Sequence, residues 1–191
     1  MSSQFELRSA RFIAMETMEK VVESGDICVD ATMGNGHDTL TLCSLVGENG
    51  KVYAFDVQPQ AVENTRARLS EAGMLSRAEL LLTGHQNMLS YVHEPVKLVL
   101  FNLGWLPGGD KSVTTLRETT LPAIKAALSL LMPLGVLSVC IYPGHSEGAA
   151  EREMLKGFFS ALRPQEYNVL WHTFVNAGDS APECVLIQRQ P

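Results

Sequence analysis

Two glycines and two acids follow a short apolar run near the N-terminus. Residues 27–29 are apolar, and residues 30–39 read DATMGNGHDT. Gly34 and Gly36 let the backbone turn tightly and approach a ligand closely, and the helix expected after them has free N–H groups at its start. Asp56 lies twenty residues past Gly36, after a second apolar run. An acid at that place can accept hydrogen bonds from both hydroxyls of a ribose, so the pattern predicts an adenosine-containing ligand.

The acids around this turn discriminate between two cofactor classes. A dinucleotide site of the form G-x-G-x-x-G has a third glycine, where this chain has Thr39. Asp30 and Asp38 flank the loop and would repel a pyrophosphate by about 1 kcal/mol or more per close pair. S-adenosylmethionine has no phosphate, and its sulfonium and ammonium groups are attracted by acids. The spacing therefore favours S-adenosylmethionine. The alternatives are a nicotinamide or flavin enzyme, and a non-catalytic domain in which Asp38 only complements a helix dipole.

The segment after the fourth apolar run, FNLGWLPGGD at residues 101–110, is the most informative in the chain. It resembles the N/D-P-P-Y/F/W motif of methyltransferases that act on amine nitrogens, in which the Asn oxygen and the next carbonyl accept hydrogen bonds from the target NH₂. Asn102 and Trp105 hold the first and fourth positions, and Leu103-Gly104 replaces Pro-Pro. Such positioning brings the reacting atoms to about 3–3.5 Å and contributes several kcal/mol. The alternative is a strand end with an Asn turn and a buried Trp.

Two more turns follow predicted strands. Residues 83–86 read TGHQ, and in this arrangement such a turn contacts adenine, although His85 could instead be a helix cap or a solvated loop residue. Residues 142–148 read YPGHSEG. His145 has an unperturbed pKa near 6.5 and could accept a proton from an ammonium substrate, with Glu147 orienting it. A structural or substrate-contact role for His145 is the alternative.

The elements that position these residues alternate between apolar runs and helical patterns. We predict helices over 9–23, 39–46, 59–72, 114–131 and 149–162, and strands over 27–29, 52–55, 78–82, 96–101, 136–142, 166–174 and 184–188. Alternation of this kind builds a parallel sheet with helices on both faces. Only a short turn region near 176–179 separates the last two strands, so they must pair antiparallel. The predicted fold is α/β: a Rossmann-like, seven-stranded, mostly parallel sheet with one antiparallel strand. Its ligand lies at the carboxyl ends of the strands.

Composition narrows the class of protein further. A length of 191 residues predicts one domain over 1–191. A net charge of −6 argues against a nonspecific nucleic-acid coat protein but allows an enzyme with one local basic patch. No apolar run is long enough to span a membrane, and the first residues lack a signal-peptide pattern, so we expect a cytoplasmic protein. Four separated cysteines in apolar runs predict buried free thiols rather than disulfides or a metal site: Cys28, Cys43, Cys140 and Cys184.

Four stretches together resemble one family: residues 30–39, 55–58, 101–111 and 142–148. The resemblance extends over about residues 11–187. The family is the small bacterial class I S-adenosylmethionine-dependent methyltransferases once labelled rRNA methylases. Members with an assigned function convert 5-aminomethyl-2-thiouridine to 5-methylaminomethyl-2-thiouridine at the tRNA wobble position. The family more often has Tyr in place of Trp105 and an acid in place of Ser146. Trp in place of Tyr preserves stacking. Because Ser146 replaces the acid, we do not expect a second carboxylate at that turn.

The resemblance implies S-adenosylmethionine as the cofactor, tRNA (its anticodon stem-loop) as the partner, and a homodimer. The predicted catalytic residues are Asn102, Trp105 and His145. By family analogy, Asn35, Asp38, Asp56, Gln58 and His85 would hold the cofactor. With the residues of the turns described above, the full set of predicted cofactor-binding residues is Asp30, Gly34, Asn35, Gly36, Asp38, Thr39, Asp56, Gln58, Gly84, His85, Gln86 and Asn102.

A basic rim is expected to hold the RNA backbone. With Trp105 as the base-stacking residue, the substrate-binding candidates are Arg8, Arg11, Lys111 and Arg117. Their alternative role is that of scattered solubilising charges. Two functional alternatives stay open at this point: an rRNA or small-molecule amine methyltransferase, and a non-catalytic module that binds S-adenosylmethionine or RNA.

Overall fold

A computed structural model of the chain describes residues 9–106, 108–109 and 113–191. The helices are α1 Ala10–Val21, α2 His37–Val46, α3 Pro59–Glu71, α4 Arg117–Leu130 and α5 Ser146–Ser160, with short 3-10 turns at Leu75–Arg77 and His85–Ser90. The strands are β1 Ile27–Asp30, β2 Lys51–Asp56, β3 Ala78–Leu82, β4 Val96–Asn102, β5 Leu131–Ile141, β6 Tyr167–His172 and β7 Glu183–Arg189.

The seven strands form a single sheet in the order β3-β2-β1-β4-β5-β7-β6. Neighbours from β3 to β5 pair parallel. Strand β7 pairs antiparallel with both β5 and β6. The predicted fold class, with its antiparallel strand near one end, is confirmed.

Alternate residues of the central strands enter two cores on opposite faces of the sheet. In β4, Val99 and Phe101 join the core beneath α4 and α5, whereas Leu98 and Leu100 join the core beneath α1, α2 and α3. Successive side chains of a strand point to opposite faces, so a strand covered on both faces is apolar throughout. This burial explains why short apolar runs located the central strands correctly.

Some element boundaries differ from the predicted ones because tertiary contacts set them. Helix α4 begins at Arg117 rather than 114, because Thr114 forms an isolated antiparallel bridge with Trp105. Strand β5 begins at Leu131 rather than 136, where Leu131 pairs with Val96 of β4. The last predicted helical residue is therefore the first residue of a strand.

All four cysteines are buried free thiols, as predicted. Cys140 of β5 and Cys184 of β7 lie opposite each other in the antiparallel pair. Within the described ranges, no helix has both the length and the apolar character that a membrane span requires.

Candidate functional site

A cavity of about 630 Å³ opens at the carboxyl edge of the parallel strands. Its wall is made by the turns that follow β1, β2, β3, β4 and β5, with Arg11 of α1 and Leu116 beside α4. This volume lies inside the range of ligand pockets, roughly 300–1,000 Å³. The five turns singled out by their residue types therefore converge on one space.

Asp30 and Thr39 support the glycine loop from behind the cavity. Both are fully buried, and the cavity wall includes neither of them. The Thr39 hydroxyl donates to Asp30 Oδ2 at 2.6 Å, and the Thr32 N–H donates to Asp30 Oδ1 at 3.2 Å. Both residues were expected to contact the cofactor; in the structure their hydrogen bonds support the glycine loop, and contact with the cofactor stays a prediction. Burial, together with the nearby charges of Asp38 and Asp56, raises the pKa of Asp30 to about 7.

Asp56 ties the first two turns together. Its Oδ2 accepts the Gly34 N–H at 3.0 Å, and its Oδ1 accepts the Gln58 N–H at 3.0 Å. Gly34, Asp56 and Gln58 all line the cavity. Desolvation raises the pKa of Asp56. Each carboxylate oxygen can accept more than one hydrogen bond, so Asp56 keeps acceptor capacity for a ligand.

Gly36 serves the packing of the loop and is not part of the cavity wall. Its φ is +76°, a left-handed conformation that side chains other than glycine rarely adopt. A Cβ placed there would lie 2.8 Å from Thr65 Cα of α3. Asn35, which does line the cavity, accepts the Asn64 amide on Oδ1 at 2.9 Å and Arg68 Nε on its carbonyl at 2.8 Å. Helix α3 therefore anchors the glycine loop.

Asn102 ends β4 at the centre of the wall and is held by two segments, the turn after β1 and helix α2. Its N–H donates to Thr32 Oγ1 at 2.7 Å, and its Nδ2 donates to Asp38 Oδ2 at 2.8 Å. Asp38 in turn accepts Arg11 Nη2 at 3.1 Å. Because an ionised carboxylate only accepts, it fixes which end of the amide is nitrogen. Asn102 Oδ1 is buried and has no hydrogen-bond partner in the described part of the chain.

Trp105 and His145 form the second half of the wall. Their ring centroids are 4.7 Å apart, with the planes inclined at 44°. His145 caps α5, because its Nδ1 accepts the Gly148 N–H at 3.2 Å. A neutral ring that accepts on Nδ1 carries its proton on Nε2. A proton from substrate would have to displace this cap, so the contacts favour the positioning role of His145 over the proton-acceptor role.

The turn after β3 contributes Gly84, His85 and Gln86 to the cavity wall. His85 Nδ1 lies 3.2 Å from the Ala31 carbonyl, to which it donates. Its ring packs 5.4 Å from that of Phe101, and burial lowers its pKa. The neutral ring therefore has an acceptor lone pair on Nε2, which is buried and unpartnered among the described residues.

Two of the four basic residues predicted to bind the RNA backbone, Arg11 and Arg117, lie in the described part of the chain. Arg8 and Lys111 lie outside the described residues. Arg117 is paired with Glu147, its Nε donating to Glu147 Oε1 at 3.0 Å, and Arg11 is paired with Asp38. Each of the two described arginines thus has its charge compensated by an acid. Arg11 braces Asp38, and nothing in the spacing of residues 11 and 38 along the sequence signals this contact.

Comparisons with known proteins assign the chain to a family. A family model described as "Putative rRNA methylase" matches residues 52–188. The chain belongs to this rRNA methylase family. A Clostridium thermocellum structure described in the same words has a TM-score of 0.95 at 39% identity, covering 97% of this chain and 100% of that one. The family and the fold predicted from the sequence are confirmed.

Two further relatives carry descriptions that bear on ligands. One is a Streptococcus mutans "putative methyltransferase" solved in complex with S-adenosylhomocysteine. It has a TM-score of 0.87 at 34% identity, and the match covers 96% of this chain and 99% of that one. A chloroplastic "tRNA (mnm(5)s(2)U34)-methyltransferase" of Arabidopsis thaliana is 41% identical over 168 residues, which is 83% of this chain. The aligned region spans 61% of the plant protein's length.

Proposed function

We propose that this protein is an S-adenosylmethionine-dependent N-methyltransferase that converts 5-aminomethyl-2-thiouridine to 5-methylaminomethyl-2-thiouridine at the tRNA wobble position. The observation that carries the proposal is the Asn102 amide. Its Nδ2 is anchored on Asp38 at 2.8 Å, while its Oδ1 is buried at the cavity and meets no donor from the described residues. The description of the plant relative supports tRNA as the substrate class.

The residues around the cavity fit S-adenosylmethionine. Asp56 and Gln58 follow β2, where a ribose would be held, and Asn35 stands beside them on the glycine loop. His85 Nε2 offers an acceptor in a neutral ring, which suits the exocyclic amine of adenine. Asp38, on the wall between Arg11 and Asn102, suits a cationic centre. When bound, S-adenosylmethionine supplies an electrophilic methyl group.

The acceptor half of the cavity would bind and orient the amine. Asn102 Oδ1 would accept a hydrogen bond from the N–H of the substrate amine, and the Leu103 carbonyl is the second acceptor expected from the resemblance. Trp105, with its side chain partly exposed at the wall, supplies a face on which a pyrimidine can stack. A neutral amine is already a good nucleophile, so alignment at roughly 3–3.5 Å is the main contribution asked of these residues.

The test uses purified protein, S-adenosylmethionine and total tRNA from a strain lacking the enzyme. Nucleoside mass spectrometry should show the loss of 5-aminomethyl-2-thiouridine and an equal gain of its N-methyl product. Asn102→Ala should lower kcat by roughly 10²-fold and change cofactor affinity much less. Asn168→Ala is the matched control, because Asn168 is exposed on β6. Methyl label that enters rRNA instead of tRNA would contradict the proposal, and cofactor binding without transfer to any RNA would favour a binding module.

We also propose, from the family resemblance, a homodimer that contacts the anticodon stem-loop and, from the lack of a signal-peptide pattern, a cytoplasmic location. Light scattering of the purified protein tests the dimer, and cell fractionation tests the compartment. Methylation of an isolated stem-loop carrying the unmodified amine tests the substrate boundary, and its affinity should fall as salt is raised.

A further inference from the structure

A buried carboxylate lies behind the Trp105 side of the cavity and belongs to none of the motifs discussed above. Glu151 of α5 is fully buried. The Thr120 hydroxyl donates to its Oε1 at 2.6 Å, and the Thr115 hydroxyl donates to its Oε2 at 2.9 Å. Both hydrogen-bond partners found within the described residues are therefore neutral hydroxyls. Burying a carboxylate costs free energy unless a cation or a full set of hydrogen-bond donors compensates it. The burial of Glu151 therefore indicates a specific role.

Thr115 connects this carboxylate to the turn that carries the acceptor residues. Its Oγ1 accepts the Gly104 N–H at 2.9 Å while its hydroxyl proton goes to Glu151. Its own N–H donates to the Gly104 carbonyl at 3.0 Å, and the next pair along, Trp105 and Thr114, forms a β-bridge. Residues 104–105 and 114–115 thus make a short antiparallel ladder whose outer end is fixed by Glu151.

The directions of these hydrogen bonds require an acceptor with two oxygens at position 151. The Gly104 N–H occupies an acceptor lone pair of Thr115 Oγ1, so the hydroxyl must find an acceptor of its own. Glu151 provides that acceptor and a second one for Thr120. An apolar side chain at position 151 would leave the hydroxyls of Thr115 and Thr120 without their acceptor. Both would reorient, and the Gly104 N–H would lose a fixed partner.

Helix α5 holds the same turn at a second point. His145, the residue that caps α5, packs its ring against Trp105 at 4.7 Å. Glu151 follows on the same helix and reaches the turn through Thr115. Trp105 is therefore held by α5 in two ways. His145 at the start of the helix contacts its ring, and Glu151, further along the helix, holds its backbone through the ladder with residues 114–115. Asn102, two residues before Gly104, shares the restraint.

We propose that Glu151 is a positioning residue which, through Thr115, sets the 103–105 turn so that Trp105 and Asn102 face the acceptor half of the cavity. The effect on catalysis rests on the proposed function. The effect on the conformation of Trp105 does not, so the two can fail separately.

The test compares Thr115→Val, which keeps the side-chain shape but removes both hydrogen bonds, with Thr115→Ser, which restores them. Glu151→Gln is the second variant, because its amide offers one of the two hydroxyls an N–H instead of an acceptor. Glu153→Gln is the matched control, since Glu153 lies on the same helix with 67% of its side chain exposed. Each is made with Trp171→Phe so that Trp105 is the only tryptophan of the two in the chain that reports fluorescence.

In Thr115→Val and Glu151→Gln, we expect red-shifted, more easily quenched Trp105 emission and a kcat/KM for tRNA lowered roughly 10- to 100-fold. The calorimetric Kd for S-adenosylmethionine should change less than about twofold, and Thr115→Ser and Glu153→Gln should behave as the parent. Unchanged Trp105 emission and kcat in Thr115→Val would overturn the proposal. So would a cofactor affinity that falls in step with kcat and Tm, because that pattern marks general destabilisation. If the parent methylates no tRNA, the proposed function fails, and the emission data still decide the role of Glu151.

Discussion

Replacement of Asp30 by Asn isolates the energetic effect of the charge buried behind the glycine loop. Asp30 is fully buried and carries two hydrogen bonds, from the Thr32 N–H and the Thr39 hydroxyl. Asn has the same shape, its Oδ1 can still accept the Thr32 N–H, and its Nδ2 can donate to Thr39 Oγ1. The substitution Asp30→Asn therefore removes the ionisable group while the loop geometry is kept.

The pKa of Asp30 sets both the sign and the size of the effect. Burial raises this pKa from 3.8 to about 7 in the folded protein. As pH rises from about 4 to about 7, the unfolded chain releases this proton while the folded chain still holds it, so the folded state becomes less stable. One pKa unit is worth about 1.4 kcal/mol, so the full effect is about 4 kcal/mol at most. It is complete above pH 7 and absent below the unfolded pKa.

Urea unfolding followed by circular dichroism at pH 5, 6, 7 and 8 measures the difference between the two proteins. We expect the free energy of unfolding of Asp30→Asn, relative to that of the parent, to increase by about 3 kcal/mol between pH 5 and pH 8. Asp179→Asn, in an exposed loop, is the control and should show no comparable trend. A difference that is constant with pH, or one that shrinks as pH rises, would refute the assignment of a raised pKa to Asp30.

Three further substitutions test the rest of the site. Asp56→Ala should weaken S-adenosylmethionine binding by about 1.5–3 kcal/mol in calorimetry, and an unchanged Kd would contradict ribose contact. Gly36→Ala should lower the free energy of unfolding by about 1–3 kcal/mol in denaturant titrations, since φ is +76° and the added Cβ would press on Thr65; parent-like stability would argue against that clash. Arg11→Ala should cost less than about 1 kcal/mol of stability but lower kcat, because Asp38 loses its partner; intact turnover would show that Asn102 needs no such brace.

The fold could be predicted from the sequence because its central strands are covered on both faces. Burial on both sides makes a strand continuously apolar, and that signal does not depend on distant residues. The start of α4 does depend on them. Thr114 carries a helical sequence pattern but pairs with Trp105, so the helix begins three residues later than its pattern indicates.

The candidate site could be predicted only as far as residue type and strand position determine it. Both Asp30 and Asp38 flank the glycine loop, yet one faces the core and the other lines the cavity. The burial of Glu151 does have a signal in the sequence. It shares a four-residue spacing with Leu155 and Phe159, which are both buried on the same helix, and an acid in such a stripe marks a polar contact inside the core.

Two unpartnered acceptors on the cavity wall explain why one pocket would accept two different amino groups. His85 Nδ1 donates to Ala31, which leaves Nε2 as an acceptor, and Asn102 Nδ2 donates to Asp38, which leaves Oδ1 as an acceptor. Neither atom meets a donor from the residues that the structure describes. A buried acceptor without a donor is costly, so each favours a ligand that brings an N–H. Under the proposed function, the adenine amine and the amine to be methylated would supply one each, and a ligand without N–H groups at these two positions would leave both acceptors unsatisfied.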